Sequence, residues 1–457
     1  MADRILVPFT GSDTGTGTRT GELTWGQRGI WLTIQGSRSP HILGGPLTLP
    51  PGTTMDYIAQ SLRHIMSRHE ALRTRYRLDP DGGLPHQVLF DAGELPVDVI
   101  DADATDDPSA IADAVWERDR ATPFDYEHEW PVRVTVVRQH GAVTHMSMGY
   151  CHLATDSYGL EVLIADLATV YADPPPPVTA VQPLELARRQ QGRTALRQHD
   201  ASLRYWAGLL RTVAPRRFGE STDRREPRYW ELVCDSPAGY AASRTIAARE
   251  RVDTSPVLLA AYAIAVAKIT GDGLFVTQVL VSNRFRPGLA DAVATLVQPA
   301  LCVVDVADVS FAEAVARARQ STMSGFLNAY YDPIGHSEMH DAVMAERGEH
   351  IDIGVFFNDR RVGDRDPEGI PGADPRPLLP LTDLRWKRKL DSVNHRLFLH
   401  INDVPDTLHM SLLADTHHLS PADLTACARG MEAALVAASL DPDAPTGIAA
   451  KAGSARS

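Results

Sequence analysis

The stretch Ser67–Tyr76 has the sequence SRHEALRTRY, and the patterns on either side of it decide the local fold. Upstream, the segment Asp56–Arg68 carries apolar residues at helical spacing, namely Ile58, Leu62, Ile65 and Met66. Downstream, RTRYRLDPDGG has the composition of a charged strand that ends in a turn. The stretch therefore predicts a helix that leads directly into a strand.

Helical and strand patterns alternate through both halves of the chain. Further helices are predicted at Pro108–Arg120, Glu161–Tyr171, Leu184–Leu210, Ser255–Ile269 and Pro421–Ala437. Strands are predicted at Ile5–Phe9, at Pro131–Val137, in the run after the turn Gln139–Gly141, in LFVTQVLVS, and at Leu301–Val306, Ile353–Phe357, Leu397–Ile401 and Leu408–Leu412. This order indicates an α/β or α+β fold rather than an all-α or all-β one.

The chain is long enough for two hydrophobic cores. It has 457 residues, 44% of them hydrophobic, whereas one core rarely serves more than roughly 250–300 residues. The run DPPPP at Asp173–Pro177 fits neither a helix interior nor a central strand, so it is the best boundary candidate. We expect an N-terminal lobe at 1–177, a C-terminal lobe at 178–438 and a disordered tail at 439–457. Residues 11–21 are expected to be a flexible connector rather than a phosphate-binding loop.

The composition excludes several classes of protein. The chain has 45 Lys and Arg residues against 58 Asp and Glu, a net charge of −13, which disfavours nucleic-acid binding because phosphates require a basic face. The cysteines, at positions 151, 234, 302 and 427, lack CxxC spacing, so neither a zinc site nor a disulfide framework is indicated. No apolar run approaches the ~18 residues of a membrane span, and the N-terminus lacks the apolar core of a signal peptide. We expect a cytoplasmic protein with no membrane or nucleic-acid partner.

The sharpest chemical feature is the segment Gly149–Gly159, GYCHLATDSYG, which follows the predicted buried strand. It places His152 four residues before Asp156, and groups at strand ends are held rigidly yet within reach of a substrate. On spacing alone, a reactive histidine and a core histidine bonded to the backbone both fit. Cys151 and His152 are not expected to form a nucleophilic pair, because adjacent strand residues point to opposite faces.

Two other histidine patterns are expected to be structural. His336 and His340 have metal-capable spacing, but no Glu directly follows the first and no third ligand is evident, so no metal site is expected. The segment THHLSPAD at 416–423 contains a Ser-Pro pair typical of a helix start, which explains it better than a second His–Asp site.

Several segments, in order along the chain, resemble the condensation domains of nonribosomal peptide synthetases, within the chloramphenicol-acetyltransferase-like superfamily. They are LTWGQRGIW at Leu23–Trp31, SRHEALRTRY at Ser67–Tyr76, PFD and PVR within Pro123–Arg133, CHLATDSYG at Cys151–Gly159, and VSNR at Val281–Arg284. Of these segments, SRHEALRTRY is the most specific for the family. The chain departs from the family motif HHxxxDGxS at Cys151, Ser157 and Gly159, which stand where the family has His, Gly and Ser. The family's GxFVNT element is matched only weakly, by QPALCV at Gln298–Val303.

The resemblance implies an α/β fold of two chloramphenicol-acetyltransferase-like lobes, arranged as a V-shaped pseudodimer around a central tunnel. It implies no bound cofactor, because the acyl donor would be a thioester on the phosphopantetheine arm of an acyl or peptidyl carrier protein acting in trans. The nucleophile would be a small molecule or a carrier-bound group, and the protein would be a monomer.

The resemblance also implies roles for single residues. His152 would accept the proton of the nucleophile or orient its amine. Asp156 would be structural, paired with Arg284 of the next lobe, and Cys151 would pack beside them. The backbone N–H of Ser157 would help to bind the oxyanion, and its side chain would narrow the tunnel and change the acceptor that is tolerated.

The implied function is that of a free-standing condensation-type acyltransferase of natural-product biosynthesis, which forms an amide or an ester. The sequence has no adenylation signature and no GGxS carrier motif. Two alternatives stay open. One is a non-catalytic scaffold that recruits a tailoring enzyme or a carrier protein, which Cys151 and Ser157 favour. The other is an acyl-CoA-dependent transferase, which the absence of a DFGWG element disfavours.

The basic clusters have a structural and a functional interpretation. Arg68, Arg73 and Arg75 are expected to form an ion-pair network with Glu70 rather than a phosphate site. The clusters within Arg188–Arg197 and Arg385–Lys389 are expected to be solvated faces or, if functional, docking surfaces for an acidic carrier protein.

Overall fold

The computed structural model describes residues 3–11, 17–37, 40–174, 176–219, 221, 223–361 and 374–450. The chain folds into two compact units. The first comprises Met1–His199, Ser282–Gln298 and Tyr331–Ile334, and the second comprises Asp200–Val281, Pro299–Tyr330 and Gly335–Ser457. Two short segments from the second half of the sequence therefore belong to the first unit.

The first unit is built on a larger and a smaller sheet. In chain order its elements are β1 (Asp3–Thr10), β2 (Arg19–Glu22), α1 (Trp25–Ser37), β3 (Ile42–Thr48), α2 (Met55–Arg68), β4 (Thr74–Arg77), β5 (His86–Leu89), β6 (Ala92–Ala102), α3 (Pro108–Ala121), β7 (Val132–Gln139), β8 (Ala142–Cys151), α4 (Ser157–Asp166), α5 (Pro183–Gln190) and the start of α6 (Arg193–Thr212). The larger sheet has the strand order β1-β6-β7-β8-β3, with β6 and β7 parallel, and the smaller sheet has the order β2-β5-β4.

The predicted helix before SRHEALRTRY is α2. The hydroxyl of Thr54 caps it by accepting the N–H of Tyr57 at 3.1 Å. Its apolar stripe is buried in one core with the larger sheet, as helical periodicity predicts. A short 3-10 turn at Glu70–Arg73 then leads into β4, so the predicted helix–strand unit is confirmed.

The second unit contains one mixed sheet with helices packed on it. Its elements are the rest of α6, β9 (Tyr229–Ser236), α7 (Pro237–Glu250), α8 (Thr254–Thr270), β10 (Leu274–Val281), β11 (Gln298–Asp305), α9 (Phe311–Leu327), α10 (Pro333–Arg347), β12 (Val355–Asp359), β13 (Asp383–Leu390), β14 (Leu397–Asn402), β15 (Leu408–Asp415) and α11 (Pro421–Leu440). The strand order is β11-β10-β12-β14-β15-β9-β13. α8 is apolar and buried along nearly its whole length, as its Ala-rich sequence predicts, and it forms the centre of this core.

The first continuous part of the first unit runs past the boundary predicted at Pro177 and reaches His199. An apolar cluster ties the intervening stretch to the segment 282–298; its members are Val181, Leu186, Leu289, Ala292, Ala294 and Leu296. The side chain of Gln190 also accepts the N–H of Trp25 at 2.8 Å. The proline run interrupts the helices without ending the core.

The disordered tail predicted at 439–457 is wrong for the residues described up to 450. α11 continues to Leu440, and beyond it Ala444 and Ile448 are buried in the core of the second unit. The hydroxyl of Thr446 donates to the carbonyl oxygen of Val306 at 2.7 Å. Periodicity does not reveal this packing, because the few apolar residues of the segment are separated by Asp, Pro and Gly. Residues 451–457 lie outside the described residues.

The flexible connector predicted at 11–21 is wrong at its C-terminal end. Residues 19–21 belong to β2 and pair with β5, with Thr20 opposite Val88. At the other end, the N–H of Gly11 donates to the carbonyl oxygen of Asp91 at 2.6 Å. Residues 12–16 of the predicted connector lie outside the described residues.

Among the residues that the structure describes, no single helix is long and apolar enough to cross a membrane. Helices α7 and α8 reach that length and composition only as a pair, and they are bent by 116° where they meet.

Candidate active site

The candidate active site lies on the loop between β8 and α4. β8 ends at Cys151, and α4 begins at Ser157 with Asp156 as its N-cap. The N–H of His152 donates to the carbonyl oxygen of His41 at 3.1 Å, and the N–H of Ala154 donates to that of Cys151 at 2.9 Å. Backbone hydrogen bonds therefore hold the start of the loop.

Asp156 is a buried carboxylate with several hydrogen bonds. Its side chain is 1% exposed and accepts from Arg284 Nη2 at 2.6 Å and from the N–H groups of Gly159 and Leu296 at 2.9 and 3.0 Å. The predicted contact between Asp156 and Arg284 is present. His152 is not among the partners of this carboxylate in the described part of the chain, so the two residues do not form a catalytic dyad.

Arg284 comes from the segment 282–298, which belongs to the same unit as Asp156, whereas the resemblance implied the other lobe. Its Nη1 atom donates to the carbonyl oxygen of Ala292 at 2.7 Å and, over longer distances, to those of Ala290 and Leu289 at 3.2 and 3.4 Å. The guanidinium group therefore closes this segment into a loop and joins it to Asp156.

Gly26, within the motif LTWGQRGIW, lets α1 approach the same segment. A Cβ atom built on Gly26 would lie 1.9 Å from the carbonyl oxygen of Thr295, well inside van der Waals contact. The hydroxyl of Thr295 in turn donates to the carbonyl oxygen of His152. The glycine therefore brings α1 against the backbone that braces the candidate loop.

We expect Gly26→Ala to lower the free energy of unfolding by about 1–3 kcal/mol, because the clash is with backbone and α1 must move. Urea denaturation of the full chain measures this. Gly45→Ala is the matched control, since a Cβ there meets no atom within 4 Å. Equal midpoints for the two variants would show that close packing at Gly26 is unimportant.

The tautomer of His152 is fixed by a hydrogen bond between Nδ1 and the carbonyl oxygen of Thr155 at 2.9 Å. A carbonyl oxygen can only accept, so Nδ1 carries a hydrogen, and in the neutral ring the lone pair is on Nε2. The side chain is half-buried rather than enclosed. Nε2 is therefore able to accept a proton, which is the requirement for a general base.

His41 is a site residue that no sequence motif indicates. It immediately precedes β3, whose Ile42 pairs with Cys151 of β8. Burial and the neighbouring His152 lower the pKa of His41 to about 4, so this imidazole is neutral near pH 7. Finding it requires the pairing of β3 with β8, which local patterns do not encode.

Cys151 packs in an apolar cluster that does not include His152. It is 1% exposed, and its neighbours include Leu23, Tyr76 and Leu153. Burial raises the pKa of its thiol to about 12, so the sulfur stays protonated and is a poor nucleophile. The cysteine therefore fills space beside the loop.

Ser157 is the exposed first residue of α4. Asp156 caps the N–H of Gly159, but the N–H of Ser157 has no acceptor among the described residues. Unbonded N–H groups at a helix start carry partial positive charge. The Ser157 N–H is therefore available to an anionic oxygen.

The arginines of SRHEALRTRY have partners within the first unit. Arg68 Nε donates to Asp166 Oδ2 at 2.8 Å, and Glu70 is bound by Arg19 at 2.8 Å. The other two are also bound within the unit, Arg73 by the carbonyl oxygen of Phe90 at 3.0 Å and Arg75 over the ring of Trp130 at 3.9 Å. Arg19 and Arg73 each lie 3.9 Å from Asp91, so Glu70 and Arg73 belong to one ion-pair network that runs through Arg19 and Asp91.

The remaining histidine patterns have structural surroundings. In the described residues, no group of three His, Cys, Asp or Glu side chains is placed to hold a metal ion. His336 packs edge-on against Trp206, with ring centroids 4.4 Å apart. Ser420 and Asp423 form a capping box at the start of α11, so the helix start predicted there is confirmed.

The fold and this loop define a protein of the chloramphenicol-acetyltransferase-like α/β class. The model of the condensation-domain family matches residues 19–358. The chain therefore belongs to the condensation-domain family. The AMB antimetabolite synthetase AmbB of Pseudomonas aeruginosa is 33% identical over 237 residues, which cover 50% of this chain and 18% of that protein. The matched segment thus spans less than a fifth of the length of that relative.

Solved structures show the same fold. The first condensation domain of the calcium-dependent antibiotic synthetase superposes with a TM-score of 0.68 at 18% identity, covering 94% of this chain and 98% of that one. The X-domain from teicoplanin biosynthesis gives a TM-score of 0.69 at 18% identity, covering 94% and 97%, and it has also been solved in complex with OxyB. The predicted family and the predicted α/β fold of chloramphenicol-acetyltransferase-like lobes are confirmed.

Proposed function

We propose that this condensation domain is an active acyltransferase that forms an amide or an ester bond. The donor would be an acyl thioester on the phosphopantetheine arm of a carrier protein. The observation that supports activity best is the tautomer of His152, whose Nδ1–H is bound by Thr155 while Nε2 keeps a lone pair.

In the proposed reaction, His152 Nε2 accepts the proton of an amine or hydroxyl as that group attacks the thioester carbonyl. The new C–N or C–O bond forms, the C–S bond breaks, and the proton passes to the departing pantetheine sulfur. The N–H of Ser157 donates to the carbonyl oxygen as its negative charge develops, and one such donor contributes about 2.7–4 kcal/mol in other enzymes. Asp156 and Arg284 transfer no proton; they hold the loop and the start of α4 in place.

The presence of cysteine at 151 is compatible with this reaction. The loop is braced by the bond from the His152 N–H to His41 and by the hydroxyl of Thr295 on the His152 carbonyl oxygen. Neither bond requires a polar side chain at 151. A small, weakly polar residue therefore fits the apolar cluster without removing the base.

A non-catalytic scaffold is the second candidate. Cys151 and Ser157 are departures from the family motif, and the exposed Ser157 side chain stands beside the N–H that would bind the oxyanion. The X-domain, which has the same fold, occurs in complex with OxyB. A scaffold of this kind would bind its partner protein and form no product.

Product analysis separates the two candidates. The purified protein is incubated with an acyl-loaded carrier and a panel of amines and alcohols, and products are identified by mass spectrometry. An amide or ester that appears only with the protein supports acyl transfer. Binding of the loaded carrier without any product across the panel supports the scaffold.

Ser157→Gly tests whether this side chain sets the acceptor. The variant keeps the backbone N–H and removes the hydroxymethyl group, so we expect the ratio of kcat/KM for a bulky over a small nucleophile to rise by about tenfold. The free energy of unfolding should fall by no more than about 1 kcal/mol, because the position is exposed and terminal. Ser157→Ala, which keeps Cβ, should give an intermediate ratio. An unchanged ratio in both variants would show that the side chain does not contact the acceptor.

A further inference from the structure

The sheet of the second unit has one apolar face and one face of mixed aromatic and basic residues. The residues of β14 that enter the core are Leu397, Leu399 and Ile401. Phe398 and His400 alternate with them, so they lie on the other face, paired with Phe356 and Asn358 of β12. We define the aromatic-basic face as Phe356, Asn358, Arg360, Phe398 and His400.

Flat rings form the apolar part of this face. Phe356 and Phe398 are stacked with ring centroids 5.0 Å apart and an interplanar angle of 27°. Phe398 and His400 are stacked at 4.1 Å and 25°. All three side chains are half-buried, so the stack forms a platform that still reaches the surface.

Arg360, just after β12, supplies a positive charge with weak partners. Its Nη2 lies 3.4 Å from His400 Nε2, and its Nη1 lies 3.4 Å from Asn402 Oδ1, both at the long end of hydrogen-bond distances. Neither partner is charged: arginine can only donate, so His400 Nε2 accepts, and burial together with Arg360 holds the pKa of His400 well below its usual value. Among the described residues, Arg360 forms no ion pair with a carboxylate.

The nearby carboxylate does not neutralise this face. Ser411, opposite His400 in the sheet, donates its hydroxyl to Glu231 at 2.5 Å. Glu231 is bound by Arg388 of β13, and Lys387 lies 4.0 Å from it. The negative charge of Glu231 is therefore already paired with Arg388 and lies close to Lys387, so it neutralises Arg360 only in part. Among the described residues, Arg360, Lys387 and Arg388 thus share the carboxylate of Glu231 in a chain whose net charge is −13.

His395 adds a buried polar atom at the edge of the ring stack. Its ring packs edge-on against Phe398, with centroids 5.1 Å apart. Its Nε2 atom is buried and has no hydrogen-bond partner among the described residues. Buried polar atoms are usually bonded, so this nitrogen has capacity for one more hydrogen bond at the edge of the stack.

We propose that the aromatic-basic face binds a small aromatic carboxylic acid, free or as part of a larger substrate. The carboxylate bonds to the guanidinium group of Arg360, whose planar fork matches its geometry. The aromatic ring packs on the stack of Phe356 and Phe398. A carboxylate is a stronger acceptor than the imidazole and amide that Arg360 contacts now, so binding improves its hydrogen bonds. The inference does not depend on acyl transfer, because it is argued only from residues of the second unit.

Ligand-observed NMR with benzoate as the probe tests the inference on the full chain. Benzamide serves as the uncharged isostere, and inorganic phosphate as an anion without a ring. We expect benzoate to bind, and Arg360→Gln to weaken its binding by about ten- to a hundredfold, the usual contribution of a charged hydrogen bond. Arg360→Lys should retain part of the affinity. Arg376→Gln, which changes an exposed arginine paired with Asp374 elsewhere in this unit, should leave it unchanged.

Three results would overturn the inference. Benzoate does not bind, or it binds Arg360→Gln as tightly as the unmodified protein, or benzamide or phosphate binds as tightly as benzoate. Because Arg360 is exposed, its variants are expected to fold, and their thermal midpoints verify this. Retention of benzoate binding in His152→Ala is expected and keeps this result separate from the test of acyl transfer.

Discussion

Arg284→Ala is expected to destabilise the protein by about 3–5 kcal/mol, the usual cost of removing one partner from a buried ion pair. Asp156, with its side chain 1% exposed, would be left with only the N–H groups of Gly159 and Leu296 as donors among the described residues. The loop that Arg284 closes would also lose the donor to the carbonyl oxygen of Ala292. The midpoint of urea denaturation should fall, and hydrogen exchange should increase in residues 149–166 and 282–298.

An exposed ion pair provides the control for this prediction. Arg376 and Asp374 have side chains 65% and 40% exposed, so Arg376→Ala should change stability by no more than about 1 kcal/mol. Arg284→Lys should fall between the two, because one ammonium group cannot serve both Asp156 and the carbonyl oxygens. If Arg284→Ala were as stable as Arg376→Ala, the buried pair would not be what holds the loop.

The second large effect is kinetic. We expect His152→Ala to slow acyl transfer by about 10²–10⁴-fold, the range for loss of a positioned general base. Stability should change by only about 1 kcal/mol, because the ring's bond to the Thr155 carbonyl oxygen is a single hydrogen bond at a half-buried position. Product formation from a loaded carrier at saturating nucleophile measures the rate.

His152→Asn separates proton transfer from positioning. Its amide N–H can still donate to the carbonyl oxygen of Thr155, but the side chain has no basic nitrogen. We expect this variant to be as slow as His152→Ala. Recovery of the rate in His152→Asn would mean that the histidine positions the loop, and an unchanged rate in His152→Ala would mean that it has no role in the reaction.

Local periodicity predicts the elements of this fold better than their ends. The helix predicted at Glu161–Tyr171 begins earlier, at Ser157, because the side chain of Asp156 caps it. The single helix predicted at Leu184–Leu210 is instead α5 and α6, separated at residues 191–192. The apolar pattern continues across that break, where the N–H groups of Gln191 and Gly192 donate to carbonyl oxygens three residues back instead of four.

The motif residues of the candidate site were predictable, but the groups that hold them were not. His152 and Asp156 stand out by spacing and resemblance. His41 and Leu296 reach them through the pairing of β3 with β8 and the return of the segment 282–298 to the first unit. These contacts depend on chain topology, which a single sequence does not display. For the same reason the sequence does not show that Glu70 binds Arg19, which lies far away along the chain.

The most direct test compares two donors that carry the same acyl group, one on a phosphopantetheine-bearing carrier protein and one on coenzyme A. Initial rates with a single amine or alcohol acceptor are followed by mass spectrometry for the unmodified protein and for His152→Ala. We expect transfer from the carrier to be faster than transfer from coenzyme A, and to depend on His152. Transfer from coenzyme A alone, or no transfer from a carrier that demonstrably binds, would contradict carrier-dependent acyl transfer at this site.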